Sequence, residues 1–200
     1  MNIAVLASTN ATDMQVLIDE IGKGRLSANL FLIVNKDCGA IDRAKKHGIP
    51  YWLVPSKGKE REAFDKEFSA VIDEHHCELI LCIGYMRFLS PWFVKKYRNK
   101  IMNIHPSLLP EFAGGMDTNV HGEVLKSGVK KTGCTLHFVD EGADTGPIIM
   151  QKEVPVEEGE TVDSLKAKVQ KAEQEIILKA VKKFIDGKIT VKGDRVHIAP

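Results

Sequence analysis

Three residues of this chain have types and spacing that suit chemistry: Asn103, His105 and Asp144. The first two close a short apolar run, Ile101-Met102-Asn103-Ile104-His105, and Pro106-Ser107-Leu108-Leu109-Pro110 follows directly. Two prolines in that segment remove backbone donors and fix φ, so it reads as a stiff loop at a strand end. Positions two apart on a strand point to one side, which puts the amide and the imidazole on a common face. Asp144 lies in the acidic, glycine-rich turn Asp140-Glu141-Gly142-Ala143-Asp144-Thr145-Gly146-Pro147, after the apolar run Thr132 to Val139. A returning strand that pairs nearby brings this carboxylate toward the imidazole. An amide donor, a proton carrier and a carboxylate are what attack on an acyl carbon requires. Spacing alone leaves that reading level with a structural histidine.

Two rivals use neighbouring residues. Ser107 with His105 and Asp144 could form a nucleophilic triad, but it follows Pro106 within two residues of the histidine, and no G-x-S-x-G elbow occurs in the chain. His75-His76-Cys77 offers metal-ligating types, yet three consecutive side chains converge poorly on one ion and no second pair has ligand spacing.

The elements that must position these groups alternate in type. Asn2 to Ala7 is too short and too uniformly apolar for anything but a buried strand, and Ser8 to Asp13 is a polar turn before a helix from Met14 to Ile21. Strands at 28–34, 51–54 and 78–83 alternate with helices at 39–47 and 59–76. Gly84-Tyr85-Met86-Arg87-Phe88-Leu89 joins the last of these strands to a helix capped by Ser90 with Pro91 at its first position. That apolar loop reads equally as a packed connector or as part of a site. Such alternation implies an α/β fold with a parallel sheet, whose ligands gather at the carboxyl ends of the strands. Three segments then share one rim: 8–13, 84–89 and 103–105. The remainder reads as a stretch from Glu111 to Thr118 expected to be mobile around Gly114-Gly115, a helix at 119–127, strands at 132–139 and 147–156, and an amphipathic helix at 161–185. A hairpin closes the chain, with strands at 189–191 and 196–198. In the strand at 147–156, Ile148, Met150, Lys152 and Val154 are expected to alternate against their neighbours.

Two hundred residues with 44% apolar and 28% charged side chains fit one globular domain, and a net charge of +1 offers no global attraction to nucleic acid or an acidic membrane. The N-terminus shows no basic leader, and no apolar run approaches a membrane span, so a cytoplasmic protein is expected. Cys38, Cys77, Cys82 and Cys134 lack C-x-x-C spacing and read as reduced packing residues.

Asn103-Ile104-His105-Pro106-Ser107-Leu108-Leu109-Pro110, with Thr132-Gly133-Cys134-Thr135-Leu136-His137-Phe138-Val139 and Asp144-Thr145-Gly146-Pro147-Ile148-Ile149, closely resembles the phosphoribosylglycinamide formyltransferase family of purine synthesis. The resemblance runs from Asn2 to about Ile185. It implies a Rossmann-like formyltransferase fold with a mixed sheet, parallel in its N-terminal half, and helices on both faces. It also implies a single domain over 1–200, with a phosphate and ribotide half over about 1–100 and a catalytic and folate half over about 101–200. The co-substrate implied is 10-formyltetrahydrofolate, the acceptor 5-phosphoribosyl glycinamide, and no metal, nucleic acid or membrane is called for; a homodimer is compatible with it.

Residue by residue, the resemblance assigns Asn103, His105 and Asp144 to the catalytic centre, with His105 expected to be held protonated by Asp144. Arg61, Met86, Arg87, Phe88, Leu89, Asn103, Asp140, Glu141, Gly142 and Ala143 match folate-binding positions. Ala11, Thr12, Asp13 and Glu173 match ribotide-binding positions. The phosphate turn departs from the family form Gly-Asn-Gly-Ser-Asn: this chain has Thr9-Asn10-Ala11-Thr12-Asp13, losing two glycines and gaining a carboxylate, which would oppose a phosphate if it faced the ligand and could instead point away and cap the following helix. The competing readings are a formyltetrahydrofolate hydrolase, which carries an additional N-terminal regulatory domain, and a non-catalytic folate- or nucleotide-binding module. Methionyl-tRNA formyltransferase needs a further RNA-binding domain for which 200 residues leave little room.

Overall fold

A computed structural model of the chain describes residues 1–114 and 119–200; the stretch 115–118, part of the segment expected to be mobile, lies outside the described residues. The chain divides into two compact units. The first comprises Met1–Asn103 with Val139–Glu141, the second Ile104–Phe138 with Gly142–Pro200.

In the first unit, β1 (Asn2–Ala7), β2 (Asn29–Val34), β3 (Tyr51–Leu53), β4 (Leu79–Cys82) and the start of β5 (Ile101–His105) alternate with α1 (Met14–Gly22), α2 (Gly39–Lys46), α3 (Arg61–Glu74) and α4 (Pro91–Lys96). All their pairings are parallel, in the order β3-β2-β1-β4-β5. The parallel order follows from the helical crossovers, since a strand that returns through a helix re-enters in the same direction. Ala4 and Leu6 of β1 belong to a core with Phe64, Phe68 and Ile72 of α3 and Phe93 of α4. Ile3 and Val5, on the opposite face by the strand pleat, are equally buried. Phe64, Phe68 and Phe93 stack in succession at centroid distances of 5.2 and 4.8 Å.

The expected helical spacing of α3 holds, and its ends are set by Glu60, whose side chain accepts the Ala63 N–H at 2.9 Å, and by His75. The His75 ring stacks on Phe31 at 4.7 Å and packs against Trp52 at 4.6 Å. Burial pushes the Cys77 thiol up to about 11 and that of Cys82 up to about 12, so neither carries a thiolate near neutrality.

The second unit holds α5 (Val120–Ser127), β6 (Lys131–Phe138), β7 (Ile148–Pro155), α6 (Val162–Ile185) and the hairpin β8 (Ile189–Lys192) and β9 (Arg195–Ile198). β6 and β7 run antiparallel, so parallel and antiparallel pairings both occur, as expected of a mixed sheet. α6 packs on both strands through Leu165, Val169, Ala172, Ile176 and Ala180, the stripe legible in the sequence. The alternation expected along β7 fails at one end. Ile149 and Val154 are both buried while Ile148 is exposed, because the register shifts between Leu136 and His137 and moves one residue to the other face.

Candidate active site

In the second unit a single carboxylate lies between two imidazoles. His105, the last residue of β5, is 4% exposed, and its Nδ1 is 3.4 Å from Asp144 Oδ2. The other carboxylate oxygen, Oδ1, is 3.4 Å from His137 Nε2, and the Gly114 N–H donates to Oδ2 at 3.1 Å. His137 Nδ1 donates to its neighbour's carbonyl, Phe138 O, at 2.8 Å, which orients the ring. The bulge that upset the β7 alternation sits at His137 itself, where the ladder skips from Met150 to Ile148. Asp144 adopts φ +56, a left-handed conformation that aspartate tolerates better than most residues and that a tight turn into β7 requires.

The charges oppose one another in a defined way. Burial alone would raise the Asp144 carboxyl, but the His137 hydrogen bond, the charge of His105 and the Gly114 N–H outweigh it and hold the group below the usual range. His105 goes the other way from expectation. Its two ring nitrogens face acceptors, Asp144 on one side and the Phe112 carbonyl at 3.0 Å on the other, and both favour the imidazolium. Burial outweighs them and, with the charge of His137 acting in the same sense, brings the ring below its ordinary value. The balance at His105 therefore tilts toward the neutral ring, against the expectation that Asp144 holds it protonated. A neutral ring flanked by two acceptors is poised to take a proton and then to be stabilised as a cation.

The loop after His105 is braced by β6 and β7. Thr135 Oγ1 accepts the Leu109 N–H at 3.0 Å and donates to Ser107 O at 2.7 Å, while Gln151 Nε2 donates to Leu109 O and Thr135 Oγ1, each at 2.9 Å. Thr135→Val removes a fully buried hydroxyl from three polar groups, the Leu109 N–H, Ser107 O and the Gln151 amide. It should lower unfolding free energy by about 1 to 3 kcal/mol, read from denaturant midpoints at unchanged m-value.

Ser107 is fully buried, and its hydroxyl donates to Glu111 O at 2.6 Å, so the oxygen is committed to the loop. Ser107→Ala should leave turnover within roughly tenfold of the parent, whereas loss of a true nucleophile costs on the order of 10³ or more.

In the first unit the carboxyl ends of three strands align: Leu6 pairs with Cys82 and Cys82 with Asn103. This row places the turn 8–13, the loop 84–89 and Asn103 on one rim, as the alternation required. Asn103 is half-buried at the end of the row. The turn departs from expectation at Asp13. That carboxylate is buried and makes no capping bond to α1; the helix starts instead with the Met14 N–H donating to Ala11 O at 3.0 Å. Ala11 takes φ +42, so the glycine conformation persists although the glycine does not. Thr12 is half-buried beside it, Arg61 is exposed at the start of α3, and Met86, Arg87 and Leu89 are half-buried while Phe88 is exposed. Asp140 and Glu141 belong to the first unit; Gly142 and Ala143 belong to the second. Glu173 is buried on the inner face of α6.

The spacing argument missed His137, Thr135 and Gln151. Thr135 and His137 alternate with Cys134, Leu136 and Phe138 on a fully buried stretch of strand, which was the available signal. Among the described residues no group of His, Cys, Asp and Glu is arranged to hold a metal ion.

Residues 1–181 match the formyl transferase family. The chain is 35% identical over 192 residues to the phosphoribosylglycinamide formyltransferase of Escherichia coli, covering 94% of this chain and 89% of that protein. It is 39% identical over 190 residues to the trifunctional purine biosynthetic protein adenosine-3 of Bos taurus, covering 94% of this chain but spanning only 18% of that longer protein. A crystal structure of glycinamide ribonucleotide transformylase 1 from Symbiobacterium toebii superposes with a TM-score of 0.93 at 34% identity, covering 100% of this chain and 94% of that one. The chain belongs to the formyl transferase family, among the phosphoribosylglycinamide formyltransferases.

Proposed function

We propose that this protein moves the formyl group of 10-formyltetrahydrofolate to the amine of 5-phosphoribosyl glycinamide, in purine biosynthesis in the cytoplasm. The observation that carries the reading is the buried His105–Asp144 contact at 3.4 Å, two residues beyond Asn103 on the same strand.

The chemistry runs as follows. The amine nitrogen bonds to the formyl carbon and the carbonyl electron pair moves to oxygen, where the Asn103 amide donates to it. Neutral His105 takes the proton from the attacking nitrogen, directly or through water, the substrate amine displacing the Phe112 carbonyl from the ring. The imidazolium formed is compensated by Asp144, then gives its proton to the departing folate nitrogen as the carbon–nitrogen bond breaks. Tetrahydrofolate and the formylated amine leave. No step requires a metal.

In this reading Met86, Arg87, Phe88 and Leu89, with Asp140, Glu141, Gly142 and Ala143, hold the folate, together with Arg61 and Asn103. Ala11, Thr12, Asp13 and Glu173 hold the ribotide. The N-terminal half serves the ribotide phosphate and the C-terminal half serves catalysis and folate.

Incubation with 10-formyltetrahydrofolate, with and without glycinamide ribotide, tests the proposal. Formyl transfer that depends on the amine supports it. Formate release without the amine favours a hydrolase, and binding without reaction favours a non-catalytic module.

A further inference from the structure

The loop proposed to hold folate is tied down at both ends, and the ties differ in kind. At its start the Met86 N–H donates to Ser8 Oγ at 2.9 Å and the Ser8 N–H donates to Gly84 O at 2.9 Å. Gly84 has φ +61, and a Cβ there would lie 2.2 Å from Thr9 Oγ1, so only glycine brings the loop this close to the end of β1. These are neutral contacts. At the other end the Ser90 N–H donates to Asp65 Oδ2 at 2.5 Å, and Ser90 Oγ in turn caps α4 by accepting the Phe93 N–H at 3.3 Å. Asp65 is 1% exposed, on the inward face of α3.

A buried carboxylate is costly, and burial does push its pKa up. Its compensation comes from the loop itself: the Ser90 N–H and the positive charge of Arg87 act against that push, with Arg61 contributing less. The Arg87 guanidinium carbon lies 4.9 Å from the centre of the Phe64 ring, the residue next to Asp65 on α3. Asp65 Oδ1, Tyr85 OH and Arg87 Nε are all buried and have no hydrogen-bond partner among the described residues. One anion, one phenol and one guanidinium nitrogen are thus gathered under a single six-residue loop, and the proposed mechanism uses none of Asp65 or Tyr85.

We propose that Asp65 is a positioning residue for folate, its charge fixing the Ser90 end of the loop and the orientation of Arg87. A neutral hydrogen-bonding residue could hold the Ser90 amide; an anion adds its attraction for the guanidinium to the contact that Arg87 makes with the Phe64 ring. This inference rests on the folate reading of the loop given above.

Asp65→Asn keeps the shape and an acceptor for Ser90 while removing the charge. It should raise the KM for 10-formyltetrahydrofolate roughly tenfold, the size of one charge-assisted contact, with kcat and the KM for ribotide within about twofold of the parent. Combined with Arg87→Ala it should add little to the effect of Arg87→Ala alone, because both changes break the same link. An unchanged folate KM, or two effects that multiply, would overturn the assignment. A merely structural carboxylate would shift thermal stability without this KM split or this coupling. Failure of the functional reading would appear separately, as absence of transfer in the unmodified protein. In that case hydrogen exchange at the Ser90 amide decides: faster exchange in Asp65→Asn keeps the anchoring role, and unchanged exchange removes it.

Discussion

Asn103→Ala should lower formyl-transfer turnover by a factor on the order of 10² to 10³, the usual cost of one lost oxyanion donor. The expectation follows from the charge that appears on the formyl oxygen when the amine attacks. Asn103 ends the row of strand termini formed with Leu6 and Cys82, half-buried, so its amide is held by a rigid parallel sheet and not by a loop. The folate and ribotide KM values should change far less than kcat, because the interaction strengthens only as the oxyanion forms. Turnover within tenfold of the parent, measured on protein with unaltered thermal unfolding, would remove Asn103 from the mechanism.

Asp144→Asn should cut turnover by about 10² and also move the pH profile, in a direction that the electrostatics fix. In the proposed mechanism His105 acts as a base in its neutral form, and burial, the dominant influence, moves its folded-state pKa below the ordinary 6.5. The rate should therefore be full near neutrality and fall as pH drops through that depressed value, placing the acid limb below 6.5. The Asp144 charge is one of the two influences that raise the ring's pKa. Removing it lowers the pKa further, so the acid limb in Asp144→Asn should lie at still lower pH. Turnover falls at the same time, since the imidazolium formed during proton transfer has lost its counter-charge. A limb that moves upward, or does not move, in a profile of kcat/KM against pH would break the pairing of these two residues.

Much of the scaffold was legible beforehand because its causes are local. Uniformly apolar runs such as Ile3 to Ala7 can only be buried strands, helical spacing put Phe64, Phe68 and Ile72 on one face of α3, and Ser90-Pro91 marked a helix start. Pairing residues across long separations was harder. That Asp144 lies near His105 could be expected from the motif, but no spacing rule announces that the same carboxylate also faces His137, beside a bulge that leaves Ile149 of β7 unpaired. Thr135 and Gln151 read as ordinary strand residues until the loop they brace is seen folded over them.

What the sequence determined by itself was the alternation of strands and helices and the family signature spread over 101–149. Each of these follows from backbone periodicity or residue type. Only the tertiary structure shows the direction in which burial moves the His105 pKa and the burial of Asp13. Both depend on how much water is excluded around a charge, and burial is a property of neighbours brought from elsewhere in the chain. Desolvation outweighs the carboxylate partner and moves the imidazole's pKa below its ordinary value. Asp13, which could have capped α1, is buried and makes no capping bond, and the first helical amides donate to Ala11 O and Thr12 O.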